Sequence, residues 1–429
     1  MTGGTLVIGA SHAGVELAAT LRNLGDNDPI TLVGEEAHAP YERPPLSKAF
    51  LAGATDASTL ALRTPEFYEQ RGIEVIRGHA VTEIAMTGTA GGAAQTDDGQ
   101  SMPFDRLALA VGARPRPLEV PGADLAGVCY LRTVSDASAL RERLIAAGHV
   151  VVIGGGFIGL EVASVARTVG ASVTVVEVAD RLLSRSVAPV VSDFYRAAHS
   201  RRGVDVLLGV GAARLYGEAG QVAGVELEDG RRLAADVVVV GVGITPCTEL
   251  AQQLGLECDG GIVVDAHGRT NLPSVVAAGD CTVSPHPVSG DGRYRLESVP
   301  NATTQARAAA AALLGAPLPP PAVPWFWSDQ YDLKLQIAGI ADGYDSYVLR
   351  DATPDSISVL YYRNDRLIAV NAVNRAADYF DVRRVLAQGG TVPADRAGEA
   401  SLRLGSSAET PSLVPGPAGA GGQRREAGR

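Results

Sequence analysis

Val150–Glu161, VVVIGGGFIGLE, is an apolar β-branched run that breaks on three glycines and resumes as an apolar-periodic segment. That pattern reads as a buried strand, a tight turn and a helix, and it aims backbone N–H groups and a helix N-terminus at whatever lies before the turn. A pyrophosphate is the ligand such a turn suits. Gly154, Gly156 and Gly159 fill every glycine position of the pattern. The next strand, SVTVVEV from Ser172 to Val178, carries Glu177 about 20 residues on, where a carboxylate accepts ribose hydroxyls and repels a 2′-phosphate. Glu177 therefore favours NADH over NADPH, with Arg181 near enough in sequence to complicate the choice.

A weaker copy of the same arrangement stands near the start of the chain. Thr5–Ile8 reads as a strand, Gly9–Gly14 (GASHAG) as the turn, Val15–Leu24 as a helix, and Ile30–Val33 as a second strand leading to Glu35. Gly9 and Gly14 hold their places, and Ser11 replaces the middle glycine with a small residue whose hydroxyl can donate to phosphate. The backbone at Ser11 and Ala13, and at Ile158 in the later turn, joins the glycines as candidate cofactor contacts. Two such turns imply two dinucleotides.

Composition narrows the class. A chain of 429 residues has room for about three domains. Its formal net charge of −11 argues against a nucleic-acid or anionic-membrane surface. Cys129, Cys247, Cys258 and Cys281 are scattered, with no CxxC pair and no histidine at metal-ligand spacing, so neither a disulfide framework nor a metal site is expected. No apolar run approaches a membrane span, and the first strand begins too close to Met1 to leave room for a leader. These features lead us to expect a cytoplasmic protein that binds neither nucleic acid nor membrane.

Between and beyond the two turns, YERPPLSKAFLAG (Tyr41–Gly53) makes a rigid approach to a short helix near Leu46. It contains Lys48, one of only two lysines in a chain that otherwise uses arginine, which points to a site that wants a compact ammonium. Ala110–Gly122 and Asp236–Pro246 are Gly- and Pro-bearing stretches suited to crossovers between domains. After the first of them a helix begins in LRTVSDASALRERL, with Ser135 or Asp136 as its N-cap. Asp280, at the end of the Thr270–Cys281 strand, either bonds a ligand hydroxyl or caps a turn. Glu297–Gly315 is helical after Pro300, with positive partial charge at its start. The Leu318–Pro324 linker leads to WFWSDQYD, then alternating strands and a helix near Arg375–Gln388. From about Ala397 the composition reads as a disordered tail.

The ordered set RPPLSK, VGARPRPLEVPG, GGGFIGLE, GVGITP, VVAAGDC, ESVPNA and WSDQYD resembles the flavoprotein reductases of the putidaredoxin reductase and rubredoxin reductase type, over Thr5 to about Gly390. The resemblance implies an α/β fold of two Rossmann-like dinucleotide-binding domains, the NAD domain inserted in the FAD domain, plus a C-terminal α+β domain. The expected ranges are 1–115 and 243–320 for FAD, 116–242 for NADH, 321–396 for the last domain and 397–429 for the tail. It further implies that Gly9, Gly14 and Glu35 hold the ADP half of FAD, while Arg43, Lys48, Val81 and Arg132 contact the cofactor. Asp280 and Val299 are then expected at the ribityl chain and ring, and Trp327 beside the isoalloxazine. For NADH it implies Gly154, Gly156, Gly159 and Glu177, with Glu161 and Gly243 near the nicotinamide. We expect Lys48 and Glu161 to be the catalytic pair, an ion pair beside flavin N5 that orients the nicotinamide and steadies the reduced flavin.

The implied partner is a 2Fe-2S ferredoxin or rubredoxin serving a cytochrome P450 or dioxygenase, the reductase being a monomer or homodimer. Arg293, Arg295, Arg307, Arg383 and Arg384 are candidates for its docking patch. The chain departs from the pattern at Ser11, Val111 and Cys247. Disulfide, peroxide and coenzyme-A-disulfide reductases of this superfamily need cysteine in the segment held here by Tyr41–Leu46, which has none. An NADH oxidase or quinone reductase, and an apoptosis-inducing-factor-like interaction role, remain as alternatives.

Overall fold

Both glycine turns lie on five-stranded parallel sheets. The computed structural model describes residues 3–88, 90–287, 292–399 and 402–409. In the first sheet the strand order is Val275–Ala277, Arg106–Leu109, Thr5–Ile8, Ile30–Gly34, Ile73–Arg77. In the second it is Val204–Leu208, Ser172–Glu177, His149–Ile153, Val237–Val240, Val128–Cys129. Thr5–Ile8 and Val237–Val240 are buried along their whole length, as strands covered on both faces must be, and this is why they read as unbroken apolar runs. The first sheet receives its last strand only after the second is complete, so the second domain is an insertion in the first.

The two crossovers meet. Ala113–Pro115 pairs antiparallel with Ile244–Pro246, and the Cys247 amide donates to the Gly112 carbonyl at 3.0 Å. Each parallel sheet is accompanied by a three-stranded antiparallel one, Val81–Met86, Gly92–Thr96 and Ser101–Phe104 in the first domain and Ala212–Glu218, Gln221–Leu227 and Arg232–Ala234 in the second. The strands Gly92–Thr96 and Ser101–Phe104 escape sequence reading because GAAQT and SMPF are poor in β-branched residues. A third five-stranded sheet, antiparallel throughout, has Trp325–Gln330 and Ser346–Thr353 at its edges and the Ala376–Ala387 helix against it.

Two expectations are corrected. The Val134–Ala146 helix is capped by Thr133, not by Ser135 or Asp136: Thr133 Oγ1 accepts the Asp136 amide at 3.1 Å, and the Asp136 carboxylate accepts the Thr133 amide at 2.8 Å. Asp136 is thus the third residue of a capping box. Order also does not stop at 397. Past the short Ala394–Ala397 helix comes a 3-10 turn at Leu404–Ser407, Thr391 bridges to Glu409, and Leu404 is buried. The side chain that holds this segment is Arg350, which is itself buried. It donates to the carbonyls of Ala397 at 3.1 Å, Glu399, and Leu402 at 2.5 Å, and it pairs with Asp378 at 3.3 Å. Composition missed this because one distant arginine does the work that a run of apolar residues does elsewhere. Residues 410–429 of the expected tail lie outside the described residues. Among the described residues no helix is long and apolar enough to cross a membrane.

Candidate active site

The two glycine turns are near copies in three dimensions. Gly9 and Gly154 take φ of 111° and 112°, and a Cβ on either would lie 2.1 Å from the Ala110 carbonyl oxygen or 2.4 Å from that of Gly241. Each therefore must be glycine, because the crossover strand passes directly against it. Gly14 and Gly159 pack the following helix onto the turn, a Cβ there reaching the Gly9 or Gly154 carbonyl oxygen at 2.0 and 2.2 Å. Gly156 differs: its φ is −80° and nothing lies within 4 Å of the missing Cβ. A side chain would fit the fold at Gly156, so the space is kept open for something outside it.

The residues present suit anionic dinucleotides. The His12–Asn23 and Phe157–Thr168 helices both begin without a side-chain cap and without an acidic residue in the first turn, which leaves their N–H groups available. Ala13, like Gly14, is buried in the first turn of the former. His12 lies at the first of these N-termini, and burial, Arg43 and Arg132 lower its pKa to about 4, so it adds no charge at neutral pH. Arg43 spans the mouth of the turn. It pairs with Glu36 at 2.6 Å and donates to the Arg132 carbonyl at 2.6 Å and to Ser11 Oγ at 3.3 Å. Glu36 also accepts the Tyr41 hydroxyl at 2.5 Å. Glu35 has the other duty: with Gly9 and Val81 it lines a pocket of about 370 Å³ that also includes Val111 and Cys247, two of the positions that depart from the resemblance.

A larger cleft, about 850 Å³, joins the two halves. Its walls include Arg132, Asp280 and Ser298 from one side and Gly156, Ile158, Arg185 and Gly243 from the other. Arg132 and Asp280 pair with each other at 3.3 Å. Val299 opens the Val299–Leu314 helix, capped by Ser298, whose hydroxyl accepts the Asn301 amide. Phe157 and Phe326 close one end with ring centroids 4.6 Å apart. Trp327 lies outside that lining and stacks on Trp325 at 5.5 Å, with the Arg383 guanidinium 4.9 Å above Trp325. Glu177 accepts the Gly155 amide at 2.6 Å and the Ala179 amide at 2.8 Å. Arg181 donates to the Val187 and Ser184 carbonyls and to Ser192 Oγ, so both of its terminal nitrogens already have partners.

Lys48 and Glu161 come together as the sequence reading expected. Lys48 Nζ lies 2.7 Å from Glu161 Oε2 and donates also to the Pro44 carbonyl at 3.2 Å. The same Oε2 accepts the Ser47 hydroxyl, while Oε1 accepts Ser328 Oγ at 2.6 Å. Glu161 is 1% exposed, and burial raises its carboxyl above the ordinary range while Lys48, Ser328 and Ser47 pull it back. A carboxylate this deep without those donors would be neutral. The short helix that delivers Ser47 and Lys48 is a 3-10 turn at Pro44–Ser47, earlier than the start near Leu46 read from sequence, because Pro44 and Pro45 suit its first positions.

Residues 4–306 match the pyridine nucleotide-disulphide oxidoreductase family, and residues 325–408 match the reductase C-terminal family. The chain belongs to the pyridine nucleotide-disulphide oxidoreductases. It is 42% identical to the rhodocoxin reductase of Rhodococcus erythropolis over 89% of each chain. It is 41% identical to the putidaredoxin reductase CamA of Pseudomonas putida over 93% of this chain and 95% of that one. Among solved structures it is similar to the covalent putidaredoxin reductase–putidaredoxin complex, with a TM-score of 0.89 at 40% identity over 94% of this chain and 97% of that chain. It is thus an oxidoreductase of the two-dinucleotide type, working with FAD and NAD(P)H.

In this oxidoreductase four of the five candidate docking arginines are locally balanced, while Arg383 donates to the Tyr379 hydroxyl at 3.3 Å and lies over the Trp325 ring. Arg293 pairs with Asp259 at 2.6 Å and also with Glu257, Arg295 with Glu297 at 2.8 Å, Arg307 with Glu16 at 2.6 Å, and Arg384 reaches Asp381 at 4.0 Å. Sequence reading passed over Glu36, Ser47, Phe157 and Ser328. Phe157 sat in plain view inside GGGFIG, and Ser47 stood beside the singled-out lysine. Glu36 differs from Glu35 only by one position, and nothing in the sequence alone says which of two adjacent acids turns toward Arg43.

Proposed function

We propose that the protein is a cytoplasmic reductase that passes electrons from NADH through FAD to a small iron–sulfur protein, a 2Fe-2S ferredoxin or rubredoxin serving a cytochrome P450 or dioxygenase. The observation that carries this reading is a pocket at each dinucleotide turn, one lined by Gly9 and Glu35 and the larger cleft by Gly156, Ile158 and Gly243, with the buried Lys48–Glu161 pair joining the two domains that hold them. FAD, when bound, takes two electrons together as hydride from NADH and releases them singly to a one-electron acceptor.

The chain's own residues supply binding, orientation and charge. The uncapped helix N-termini at Ser11 and Gly156 receive the pyrophosphates, and Glu35 and Glu177 take the adenosine riboses. Arg43, Arg132, Asp280 and Val299 line the flavin side, and Gly154, Gly159, Ile158 and Gly243 the nicotinamide side. Glu177 is held beside the turn by the Gly155 amide while Arg181 is engaged by the Ser184–Ser192 segment, which favours NADH over NADPH. Lys48 holds the Glu161 carboxylate, and the pair orients the nicotinamide. The Val299–Leu314 helix places its positive end toward the cleft, where it steadies negative charge. Phe157 and Phe326 exclude water from that end.

The reading is tested by following NADH and NADPH consumption with a 2Fe-2S ferredoxin, with rubredoxin and with neither. It expects turnover that requires NADH and the iron–sulfur protein. Equal turnover without a protein acceptor, matched by oxygen uptake, makes the protein an NADH oxidase instead.

A further inference from the structure

One face of the Trp325–Gln330 edge strand is turned to the inserted domain. Alternation along a strand sets Phe326, Ser328 and Gln330 on the same side. Phe326 meets Phe157, Ser328 donates to Glu161, and Gln330 Oε1 lies 2.8 Å from His199 Nε2 on the Pro189–Arg201 helix. Gln330 Nε2 in turn donates to Ser328 Oγ at 3.3 Å. Ser328, Gln330 and His199 are all 0% exposed. A polar chain therefore runs from His199 through Gln330 and Ser328 to Glu161 and Lys48, crossing all three domains.

Its hydrogen bonds run in one direction. Glu161 receives Lys48 and Ser47, so it is an acceptor and Ser328 must give it a proton. Ser328 then accepts from the Gln330 amide, and the Gln330 carbonyl is left to accept from His199. That puts a proton on His199 Nε2. Nδ1 is left as a buried nitrogen without a hydrogen-bond partner among the described residues. Its surroundings suit that state, since burial and the charge of Arg202, just past the end of its helix, hold the ring neutral, with Tyr331 packed edge-on at 5.3 Å.

We propose that His199 and Gln330 are positioning residues for Glu161: acting through Ser328, they fix its carboxylate so that Oε2 faces Lys48, and they make the pair complete only when the three domains are seated on one another. The inference rests on the reading that the Lys48–Glu161 pair orients the nicotinamide.

The test uses the FAD-loaded protein and anaerobic stopped-flow reduction of the flavin by NADH. His199→Phe keeps a ring against Tyr331 and removes the donor, His199→Gln keeps an N–H at similar reach, and Gln330→Leu cuts the chain in the middle. His199→Phe and Gln330→Leu should slow the limiting rate roughly 3- to 10-fold, the worth of one neutral hydrogen bond, with NADH affinity unchanged. His199→Gln should restore most of it. Because Gln330 acts through Ser328, the double variant Ser328→Ala/Gln330→Leu should be no slower than Ser328→Ala alone. In the unaltered protein, 15N NMR should find His199 in the Nε2–H form across pH 6 to 8, a readout independent of turnover and of any variant that fails to fold. Additive losses in the double variant, weakened NADH binding at an unchanged limiting rate, or an Nδ1–H or charged His199 at pH 7 overturns the proposal. Lys48→Met separates the two levels: if it too leaves the limiting rate unchanged, the reading of the ion pair fails. If it alone slows the rate, only the positioning role fails.

Discussion

Replacing Lys48 by Met removes one charge and leaves its partner in place. Lys48 Nζ lies 2.7 Å from a carboxylate that is 1% exposed, so the lost contact is a charge-assisted hydrogen bond in a dry setting. Such bonds contribute about 1.5–3 kcal/mol, and if Glu161 must be ionised and oriented for hydride transfer, the limiting rate should fall roughly 10- to 150-fold. The pH dependence gives a second handle. Burial already raises the Glu161 carboxyl, and Lys48 is the largest influence pulling it down. Without Lys48 the carboxyl stays protonated to higher pH, so the acid limb of the rate profile moves upward. Stability follows the same sign: a carboxyl whose folded pKa exceeds its unfolded value disfavours the fold as pH rises from the unfolded toward the folded value. The deficit of Lys48→Met against the parent should therefore be small near pH 5 and grow toward pH 8. Stopped-flow flavin reduction by NADH and thermal unfolding across that range are the assays. An unchanged limiting rate at pH 7, or a deficit that shrinks as pH rises, refutes the reasoning.

Three further outcomes are expected. Gly156→Ala should leave thermal stability unchanged, since nothing lies within 4 Å of the new methyl, yet weaken NADH binding about tenfold in a fluorescence titration, because the methyl enters the space before the helix N-terminus. Glu177→Gln removes the negative charge that opposes a 2′-phosphate, and the ratio of NADPH to NADH specificity constants should rise about tenfold or more in steady-state assays. Arg350→Leu leaves the buried Asp378 carboxylate without its cation and frees the carbonyls of Ala397, Glu399 and Leu402. It should cost about 3–5 kcal/mol in urea unfolding and speed hydrogen exchange in 394–409 first.

Much of the fold was legible because its signals are local. A β-branched run, a glycine turn and an apolar helix specify a dinucleotide-binding unit from a dozen residues, and the two Gly- and Pro-bearing stretches marked the crossovers that pair at 113–115 and 244–246. Lys48 and Glu161 were found, one by its rarity in an arginine-rich chain and the other through the family resemblance. What stayed hidden is non-local and polar. Ser328, Gln330 and His199 are unremarkable letters until a strand edge is laid across two helices, and no periodicity reports that. The order beyond 397 hangs on Arg350, some fifty residues earlier in the chain. The Thr133 cap was missed for a smaller reason: in TVSD both ends of a capping box are cap-forming residues, and only geometry says which one is outside the helix.

Electrons from NADH should pass through the flavin to an iron–sulfur protein. Anaerobic mixing of a catalytic amount of the FAD-loaded protein with NADH and excess oxidised 2Fe-2S ferredoxin tests it directly. The account predicts bleaching of the ferredoxin absorbance with two ferredoxins reduced for each NADH consumed, as single-electron release requires. NADH that reduces the flavin while the ferredoxin, and rubredoxin in its place, stays oxidised would contradict it.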